Sequence, residues 1–367
     1  MAGLARADAI ARLRLIRSAN IGPATFAALL ARFGSAAAAL DAVPELARRG
    51  GGRAPVLASA AAVEAEAERV AAAGARYLFQ GTTDYPARLA EVEGAPPVLI
   101  VRGDPALARR PTVAMVGARN ASAAAARLAR SLAAELGGEG VTIASGLARG
   151  IDTAAHQGSI DTGTVGVVGG GIDIFYPPEN EALQVEVGDR GLLVAEQPPG
   201  TEPRARHFPW RNRIIAGMAD ATLVVEAAPK SGSLITARLA GEYGREVLAV
   251  PGSPLDPRAQ GCNLLIREGA TLVQTAADVL EALRPIAGAA MRAPASPPFG
   301  TAPPVAAEPG ERERRTVTGL LGPTPVAADE LIRQSGVSAP IVHTVLLELE
   351  LAGRLDRHAG GRVSLAE

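Results

Sequence analysis

Short apolar runs alternate with helical segments along the middle of the chain, and this alternation is the feature that most restricts the fold. Seven such runs occupy residues 113–116, 141–144, 164–168, 192–195, 222–225, 247–250 and 271–273. Each is rich in β-branched or aliphatic residues and is followed by helical spacing or a loop. Strands that alternate with helices predict an α/β fold: a mostly parallel sheet, helices on both faces, and a ligand crevice at the carboxyl ends of the strands.

The segments that flank this core predict two further domains and a linker. Residues 1–75 are alanine-rich with helical spacing, which predicts a small helical domain before a core at 76–284. Seven prolines lie among Ala, Ser and Gly in residues 285–310, which predicts a linker. Residues 311–367 contain three helical stretches and then a hairpin with a Gly-Gly turn. Three helices followed by a hairpin predict a winged-helix domain.

Two elements of these flanking domains could bind DNA, and each has another interpretation. The break at residues 20–23, Asn-Ile-Gly-Pro, occurs in helix-hairpin-helix modules that hold a DNA backbone, but it is also an ordinary helix connection and no basic cluster flanks it. The third helix of the tail, residues 338–352, has no lysine or arginine and carries Glu348 and Glu350. Because carboxylates repel phosphates, we expect a protein contact or a regulatory role for that helix.

The composition is that of a globular protein with almost no net charge. The chain has 367 residues, of which 48% are apolar, and its formal net charge is −1. Nucleic-acid binding would therefore need a local positive patch. The single cysteine, Cys262, excludes a disulfide framework and a cysteine-based metal site. The N-terminal stretch is charged and no apolar run has the length of a membrane span, so we expect a cytoplasmic protein without membrane association, metal or cofactor.

The loop after the fifth strand predicts a phosphate site. Ser231, Gly232 and Ser233 lie between an apolar run and a segment with helical spacing, so we place them at a helix N-terminus, where free N–H groups favour an anion. Lys230, directly before them, is the only lysine among the 37 basic residues. A compact ammonium retained beside this loop favours a phosphate-binding role over an incidental surface position.

The turn after the first strand contains Gly117 and Arg119. A dinucleotide fingerprint has three glycines and this turn has one, which argues against NAD binding. Arg119 leaves the carboxyl end of a predicted strand at the start of a helix, where a guanidinium can hold a phosphate bidentately. A surface ion pair is the alternative role.

Two further glycine turns follow the next two strands. Ser145 and Gly146 belong to the first of them, and Gly170 and Gly171 to the second, where small residues allow a backbone close to a ligand or simply form a tight turn. Asp152 and His156 stand four residues apart on one helical face, which is compatible with acid/base chemistry. A helix cap at Asp152 and a packed histidine are the roles we favour, because no nucleophile motif accompanies them and two ligands make a poor metal site.

The densest positive stretch, residues 204–213, has aromatic side chains between its arginines. Arg211, Asn212 and Arg213 end this stretch, and Phe208 and Trp210 lie just before them. Cations with aromatic rings suit a flexible nucleic-acid strand, whose phosphates are neutralised and whose bases stack. The same run could instead be an internal arginine network that fixes a loop.

Six stretches of the chain, taken in this order, resemble the DNA-processing protein A (DprA/Smf) family of bacteria. They are VAMVGAR, IASGLARGIDTAAH, GGGIDIFYPPEN, FPWRNRIIAG, VVEAAPKSGSLITA, and AVPG followed by GCNLLIREGA. The resemblance implies a Rossmann-like core with an N-terminal helical domain similar to a sterile alpha motif and a C-terminal winged helix. It also implies single-stranded DNA binding, a homodimer formed through the Rossmann-like domain, and loading of the RecA recombinase during natural transformation.

The family's binding arginine and lysine correspond here to Arg119 and Lys230. The chain departs from the family at Ala118, where serine is usual, and at residues 121–126, ASAAAA, where Tyr-Gly is common. The residues that we predict to bind strand or phosphate are Gly117, Arg119, Ser145, Gly146, Gly170, Gly171, Arg211, Asn212, Arg213, Lys230, Ser231, Gly232 and Ser233.

Two other functions are compatible with parts of this pattern. Nucleotide phosphoribohydrolases resemble the core in outline, but they place a carboxylate just inside the loop helix. In this chain residues 236–238 are Thr, Ala and Arg, and the next acid is Glu242; Glu226 lies before the loop. A scaffold that binds RecA without DNA is the remaining alternative. We predict a non-catalytic DNA-binding protein.

Overall fold

The computed structural model describes residues 4–284, 308–358 and 360–366, which fall into two compact units. Among the described residues, the sheet unit comprises residues 65–284, and the helical unit comprises Leu4–Glu64 together with residues 308–358 and 360–366. Most of the linker predicted at 285–310 lies outside the described residues.

Helices and strands alternate through the sheet unit, as the apolar runs predict. The helices are α1 (Arg6–Ile16), α2 (Pro23–Phe33), α3 (Ala36–Arg49), α4 (Ala60–Ala72), α5 (Ala87–Ala90), α6 (Ala123–Gly138), α7 (Ile151–Ser159), α8 (Glu181–Arg190), α9 (His207–Met218), α10 (Gly232–Glu242), α11 (Gln260–Arg267), α12 (Ala276–Leu283), α13 (Glu311–Gly319), α14 (Ala328–Ser335) and α15 (Ala339–Leu351). The strands are β1 (Arg76–Phe79), β2 (Val98–Gly103), β3 (Thr112–Val116), β4 (Thr142–Ser145), β5 (Thr164–Val167), β6 (Leu192–Ala195), β7 (Ala221–Val224), β8 (Glu246–Ala249), β9 (Thr271–Leu272), β10 (Val326–Ala327), β11 (Leu355–His358) and β12 (Arg362–Leu365).

One nine-stranded sheet organises the sheet unit, in the order β1-β2-β6-β5-β4-β3-β7-β8-β9. In this spatial order, the seven strands from β6 through β9 run parallel to one another. β2 pairs antiparallel with both β1 and β6. The seven predicted strands match β3 to β9 to within one residue at each end. β1 and β2 are not among them; the short run of β1 lies at the end of an alanine-rich helical segment.

Helices cover both faces of this sheet. On one face α6, α7 and α12 bury aliphatic side chains such as Leu132, Leu136 and Val279 against β3, β4, β7 and β8. On the other face α5, α9, α10 and α11 contribute Leu89, Ile214 and other side chains to a second apolar cluster. The central strands β3 to β7 are buried on both faces, which is why they are continuously apolar rather than alternating.

The helical unit combines segments from both ends of the chain. Helices α1–α3 and the winged-helix elements α13–α15 and β10–β12 share it, and Leu347 and Leu351 of α15 enter the same apolar cluster as Leu40 and Val43 of α3. The backbone at the end of α3 fits closely against α15: a Cβ atom added to Gly50 would lie 2.0 Å from the Glu348 carbonyl oxygen. Most of the apolar face of α15 is therefore covered within the chain.

A buried ion pair and polar contacts reinforce this packing. The Arg314 guanidinium bonds both carboxylate oxygens of Glu348, at 2.7 and 2.9 Å. Arg354 donates to the Gly50 carbonyl oxygen at 3.0 Å.

No single helix in the described part of the chain is long and apolar enough to cross a membrane. Helices α2 and α3 reach that length and composition only when taken together, and they are bent by 106° at the break between them.

Candidate nucleic-acid interface

The reversal of strand order in the sheet brings two cations to one place. From β3 the chain continues to β4 on one side, and it later returns to β7 on the other side. β3 and β7 pair in parallel, with Val116 opposite Val224, so the loops that follow them begin side by side. Arg119 lies in the first loop and Lys230 in the second. Crevices at this point of an open α/β sheet are the usual ligand sites.

The buried residue Glu226 holds these two loops together through its backbone and its side chain. Its backbone oxygen accepts a hydrogen bond from the Ala118 N–H at 2.7 Å. Its carboxylate accepts from the Ser122 N–H at 3.0 Å and from the Ser122 hydroxyl at 2.7 Å. Gly117 is needed here because a Cβ atom would lie 2.5 Å from Ile151 Cγ1. The backbone that carries Arg119 is therefore held against the loop that carries Lys230.

Helix α10 begins at the predicted serine loop. Ser231 is its N-cap residue, and the Ser231 hydroxyl oxygen accepts a long hydrogen bond from the Ser233 N–H, at 3.4 Å. Gly232 is exposed, and a Cβ atom added there would meet nothing within 4 Å. This helix N-terminus is therefore open to a ligand, and its first-turn N–H groups favour an anion.

Lys230 has an uncommon backbone conformation. Its φ is +68°, in the left-handed region that glycine and asparagine usually occupy. It follows Pro229 in a tight turn closed by a 3.0 Å hydrogen bond from the Ser231 N–H to the Ala228 carbonyl oxygen. A proline followed by a residue with positive φ is the pattern of a type II turn. A lysine at this position costs about 1 kcal/mol relative to glycine, and such strain concentrates at functional sites.

Arg119 and Lys230 line the same cavity, of about 550 Å³. We call it the switch-point cavity. The predicted site residues that line it are Gly117, Arg119, Arg211, Asn212, Lys230, Ser231, Gly232 and Ser233. Among the described residues, the Lys230 ammonium has neither a hydrogen bond nor an ion pair, and the guanidinium of Arg119, which also has neither, lies over the Phe208 ring at 5.3 Å from its centroid. Both charges are therefore available to a ligand.

A second cavity, of about 330 Å³, lies beside the first and shares Arg119, Phe208 and Arg211 with it. We call it the aromatic cavity. Its walls include Gly170, the Phe208 ring and the Tyr176 ring, whose centroids are 5.4 Å apart. Trp210 lines neither cavity; it is 53% exposed and stacks on His207.

Arg211 lies between the two cavities and is 6% exposed. Burial lowers the pKa of its guanidinium, and the charge of Asp152 opposes that effect. Asp152 is itself buried; burial raises the pKa of its carboxyl, against the charge of Arg211. The Asp152 carboxylate accepts hydrogen bonds from the N–H groups of Gly146, at 3.1 Å, and Ala148, at 3.3 Å.

The prediction that Asp152 caps its helix is wrong: Gly150 is the N-cap residue of α7, and Asp152, inside the first turn, reaches back to the preceding loop.

His156 is a packed residue, as favoured from the sequence. It is fully buried, and its Nδ1 atom lies 2.7 Å from the Thr164 hydroxyl. Burial lowers the pKa of the imidazole to about 3, so the ring stays neutral. An acid/base pair of Asp152 and His156 has no support here.

Three predicted site residues do not reach the cavities. Ser145 is fully buried, and its hydroxyl donates to the Met115 carbonyl oxygen at 2.6 Å. Arg213 is half-buried and is held by Glu196 at 2.5 Å and by the Gly94 carbonyl oxygen at 2.7 Å. Gly171 is buried where a Cβ atom would lie 2.7 Å from the Pro198 carbonyl oxygen. The Ser145 hydroxyl and the Arg213 guanidinium therefore already have partners, and Gly171 has no free space beside it, so the structure places none of these three predicted residues at the cavities.

Sequence reasoning missed two residues that shape the site. Tyr176 forms part of the aromatic wall, and Asn180 donates to the carbonyl oxygens of Leu147, at 2.8 Å, and Ala148, at 3.3 Å, which fixes the loop above Arg211. Both belong to the stretch FYPPEN. Its aromatic residues beside two prolines were a usable signal of an ordered loop.

The two carboxylates of the enzyme alternative lie elsewhere. Glu226 is 8% exposed and is engaged by Ser122, and Glu242, the last residue of α10, pairs with Arg238 at 3.5 Å. In the part of the chain that the structure describes, no group of three or more His, Cys, Asp or Glu side chains could hold a metal ion.

Comparison with known families decides the relationship of this chain. A family model described as DNA recombination-mediator protein A matches residues 76–284. The chain belongs to this family. Models of the DprA-like N-terminal HHH domain and of the DprA winged helix domain match residues 6–69 and 301–361. The predicted fold class, with a Rossmann-like sheet between an N-terminal helical domain and a C-terminal winged helix, is thereby confirmed.

Two individual relatives are similar in sequence to this chain. The DNA processing protein DprA of Streptococcus pneumoniae is 46% identical over 198 residues, which are 53% of this chain and 70% of that protein. Protein Smf of Escherichia coli is 37% identical over 284 residues, 77% of this chain and 75% of that protein.

Two solved structures are similar. The crystal structure of the Streptococcus pneumoniae protein has a TM-score of 0.58 and 41% identity, and covers 61% of this chain and 78% of its own. A Helicobacter pylori DNA processing protein A, studied for its single-stranded DNA binding mode, has a TM-score of 0.52 and 27% identity, and covers 57% of this chain and 95% of its own. Membership of the family supports a role in DNA processing.

Proposed function

We propose that this protein binds single-stranded DNA by its phosphates, at the switch-point cavity. One observation carries the proposal: Arg119 and Lys230, from neighbouring loops, line one cavity with the open N-terminus of α10, and neither charge is paired among the described residues. The Arg119 guanidinium offers a bidentate fork and the Lys230 ammonium a point charge. Backbone N–H groups at the helix N-terminus complete a site for consecutive phosphates.

The surroundings of this cavity favour a single strand over a duplex. Phe208 lines both the switch-point cavity and the aromatic cavity, and the exposed Trp210 lies on the same helix. Aromatic rings next to cations accept unstacked bases, which a duplex does not offer. The Helicobacter pylori relative is described as binding single-stranded DNA, which supports the same assignment here.

The remaining functional predictions rest on family membership. We propose that the protein forms a homodimer through the sheet unit and loads RecA onto bound strands during natural transformation, as a non-catalytic cytoplasmic protein. The description of the family as recombination mediators supports the recombinase role. The internal use of Glu226 and Asp152 supports binding without turnover.

Equilibrium binding to labelled DNA tests the proposal. Oligo-dT should bind more tightly than a duplex of equal length. Lys230→Ala and Arg119→Ala should each weaken oligo-dT binding about tenfold or more, since a hydrogen bond to a charged group contributes about 1.5–3 kcal/mol. Thermal melting should show that both variants remain folded.

Arg190→Ala is the matched control. Arg190 ends α8, just before β6 begins, so it lies at the amino edge of the sheet, opposite the cavity. This variant should keep the wild-type affinity. Equal affinity for duplex and single strand, or unchanged affinity in both site variants, would overturn the proposal. Binding of RecA without any DNA affinity would instead support the scaffold alternative.

A further inference from the structure

Lys230 is the one side chain of the whole sequence that carries a primary amine. Every other residue among the 37 lysines and arginines is an arginine. An arginine side chain stays protonated in proteins, whereas a lysine amine can lose its proton and become a nucleophile. Lysine is therefore the side chain that acyl donors modify, and this chain offers them a single one.

The Lys230 side chain is exposed, and its backbone is held at a fixed point. The ammonium has no hydrogen bond or ion pair among the described residues. Pro229 precedes it, and the hydrogen bond from the Ser231 N–H to the Ala228 carbonyl oxygen, 3.0 Å long, closes the turn. The turn therefore holds the amine at the wall of the switch-point cavity, where reagents in solution can reach it.

The other charges of this cavity favour an anionic reagent. Its lining includes Arg119 and Arg211 as further cations, and Asp152 as the one carboxylate among the described residues. That carboxylate already accepts hydrogen bonds from the Gly146 and Ala148 N–H groups. Arg119 is unpaired, and the Nε atom of Arg211, a residue that is 6% exposed, has no hydrogen-bond partner in the described part of the chain. An anion is therefore attracted to the place where the amine lies.

An acyl phosphate matches this arrangement in charge and size. Its phosphate is joined to the acyl carbon by a single oxygen atom. A phosphate on the Arg119 guanidinium and the first N–H groups of α10 therefore brings the acyl carbon into the neighbourhood of Lys230. Gly232 leaves this approach open, because a Cβ atom added there would meet nothing within 4 Å. The cavity volume of about 550 Å³ is ample for so small a molecule.

We propose that Lys230 is a site of acylation by small acyl phosphates, and that its acylation prevents a strand from binding at the switch-point cavity. In the reaction the Lys230 ammonium first gives one proton to water, and its nitrogen then attacks the acyl carbon. The bond from that carbon to the bridging oxygen breaks. Inorganic phosphate leaves with the electron pair and takes up the second proton of the nitrogen. The product is an uncharged amide.

The acylated side chain cannot fill the role that the proposed function gives to Lys230. The amide has no charge to offer a phosphate of the strand. In this respect the inference rests on the proposed function, whereas the acylation itself does not. A strand that contacts Lys230 covers the amine in turn, so the strand and the acyl donor exclude each other. Because the sequence has no second lysine, one modification per chain decides its state.

The reaction can be tested on the full-length protein with acetyl phosphate and with an uncharged acetyl ester. Nα-acetyllysine in the same solution is the reference for an amine outside any site, and peptide mass spectrometry follows the acetyl group on Lys230. With acetyl phosphate, Lys230 should react about tenfold or more faster than the reference, a small part of what positioning of a reagent can supply. With the ester the two amines should differ much less, since the ester has no phosphate for the cavity to hold.

Competitors give a second measure of the same site. Inorganic phosphate should slow the reaction of Lys230 with acetyl phosphate but not its reaction with the ester, because it occupies only the phosphate position. Oligo-dT should slow both reactions, because it covers the amine.

Two variants test the donor position and the effect on DNA. Arg119→Ala should lose the preference for acetyl phosphate over the ester, and Arg190→Ala, at the amino edge of the sheet, should keep it. Acetylated wild-type protein should bind oligo-dT about tenfold or more weakly than the untreated protein, as expected for the loss of one charged contact. Lys230→Arg has a cation and no amine, so treatment with acetyl phosphate should leave its own oligo-dT affinity unchanged.

The outcomes separate this inference from the function on which it rests. Preferential acetylation of Lys230 together with loss of oligo-dT affinity supports it. Equal reaction of Lys230 and the reference amine with acetyl phosphate, or an unchanged donor preference in Arg119→Ala, overturns it and leaves the proposed function standing, since Lys230→Ala tests that function separately. Preferential acetylation with unchanged oligo-dT affinity overturns the switch and contradicts the proposed function as well. A loss of affinity in treated Lys230→Arg as large as in the wild type would assign the effect to another group and overturn the inference.

Discussion

The switch-point cavity and the face of α15 differ in what they leave open to a ligand. The first lies where open α/β sheets usually bind ligands, and the second is the third helix of a winged helix, the position of the recognition helix in related DNA-binding motifs. In the cavity, Arg119 and Lys230 have no charged partner among the described residues. On α15, which has no lysine or arginine, Leu347 and Leu351 pack with α3, and Glu348 is 1% exposed and paired with Arg314. The third helix of this winged helix therefore presents neither a positive charge nor a free apolar face.

This difference teaches that the fold of a domain does not decide whether it binds DNA. A winged helix reads DNA when its third helix carries donors and cations on an open face. Here that helix contributes to the core of the helical unit. Arg119 and Lys230, the cations of the switch-point cavity without a charged partner among the described residues, lie in the sheet unit, where loops rather than a recognition helix carry them.

The largest effect is expected when cations of the switch-point cavity are removed, and it can be compared directly with the removal of cations from the helical unit. Arg119→Ala/Lys230→Ala should lose about 3–6 kcal/mol of oligo-dT binding free energy, because two charged contacts disappear at separate phosphates. Arg312→Ala/Arg315→Ala removes two exposed arginines from α13 and should change the affinity less than about twofold, as expected for cations outside a site. Fluorescence anisotropy of labelled oligo-dT measures both. If the α13 variant lost as much oligo-dT affinity as the cavity variant, the two regions would not differ in their contribution to DNA binding.

The buried ion pair of the helical unit should dominate stability and leave DNA binding unchanged. Arg314→Leu leaves the Glu348 carboxylate buried without its partner, which costs about 3–5 kcal/mol for pairs of this kind. Thermal melting should show a marked decrease in melting temperature, while oligo-dT affinity below that temperature stays at the wild-type value. Arg333→Leu, which breaks an exposed pair with Glu330, should cost about 1 kcal/mol or less. If Arg314→Leu melts like the wild type, α15 does not depend on this pair.

The close fit between the end of α3 and α15 gives a smaller effect. Gly50→Ala puts a methyl group 2.0 Å from the Glu348 carbonyl oxygen, which should destabilise the helical unit by about 1–3 kcal/mol through overpacking. Gly22→Ala is the control, because the space around Gly22 is open. Urea unfolding followed by circular dichroism compares the two. Equal unfolding midpoints would show that α15 leaves room at Gly50.

The strained turn at Lys230 gives the smallest effect and separates stability from binding. Lys230→Gly should be more stable than Lys230→Ala by about 0.5–1 kcal/mol, because glycine accepts a φ of +68° without a Cβ penalty, which outweighs its greater unfolded-state entropy. Both variants should lose the same oligo-dT affinity, since both lack the ammonium. Melting temperatures and anisotropy together check this. A less stable glycine variant would mean that the turn is not strained.

The sheet and the loops at its carboxyl edge were predictable because local sequence determines them. Buried parallel strands are continuous apolar runs, and Ser231 to Ser233 form a helix start that needs no distant partner. β1 escaped prediction because its four residues, Arg76–Phe79, become a strand only by pairing with β2.

The orientation of the arginines on α9 depends on partners that the local sequence does not contain. Residues two positions apart on an α-helix are rotated by about 200° around its axis, so Arg211 and Arg213 point to opposite sides of α9. The Arg213 side chain turns toward Glu196, which directly follows β6, because the two side chains form a hydrogen bond. Helical spacing alone already groups Phe208, Arg211 and Asn212 on one face, and that signal could have identified the cavity-facing members. The role of Asp152 likewise follows from the path of the loop before it, which Asn180 fixes from another segment.

The salt dependence of oligo-dT binding tests the central claim most directly, because it counts the phosphates that the protein neutralises. The plot of log affinity against log salt concentration should be shallower by about 0.7 in Arg119→Ala, and by the same amount in Lys230→Ala, with no change in Arg190→Ala. Wild-type slopes in both cavity variants would show that neither cation is in contact with a phosphate, and the proposed site would be wrong.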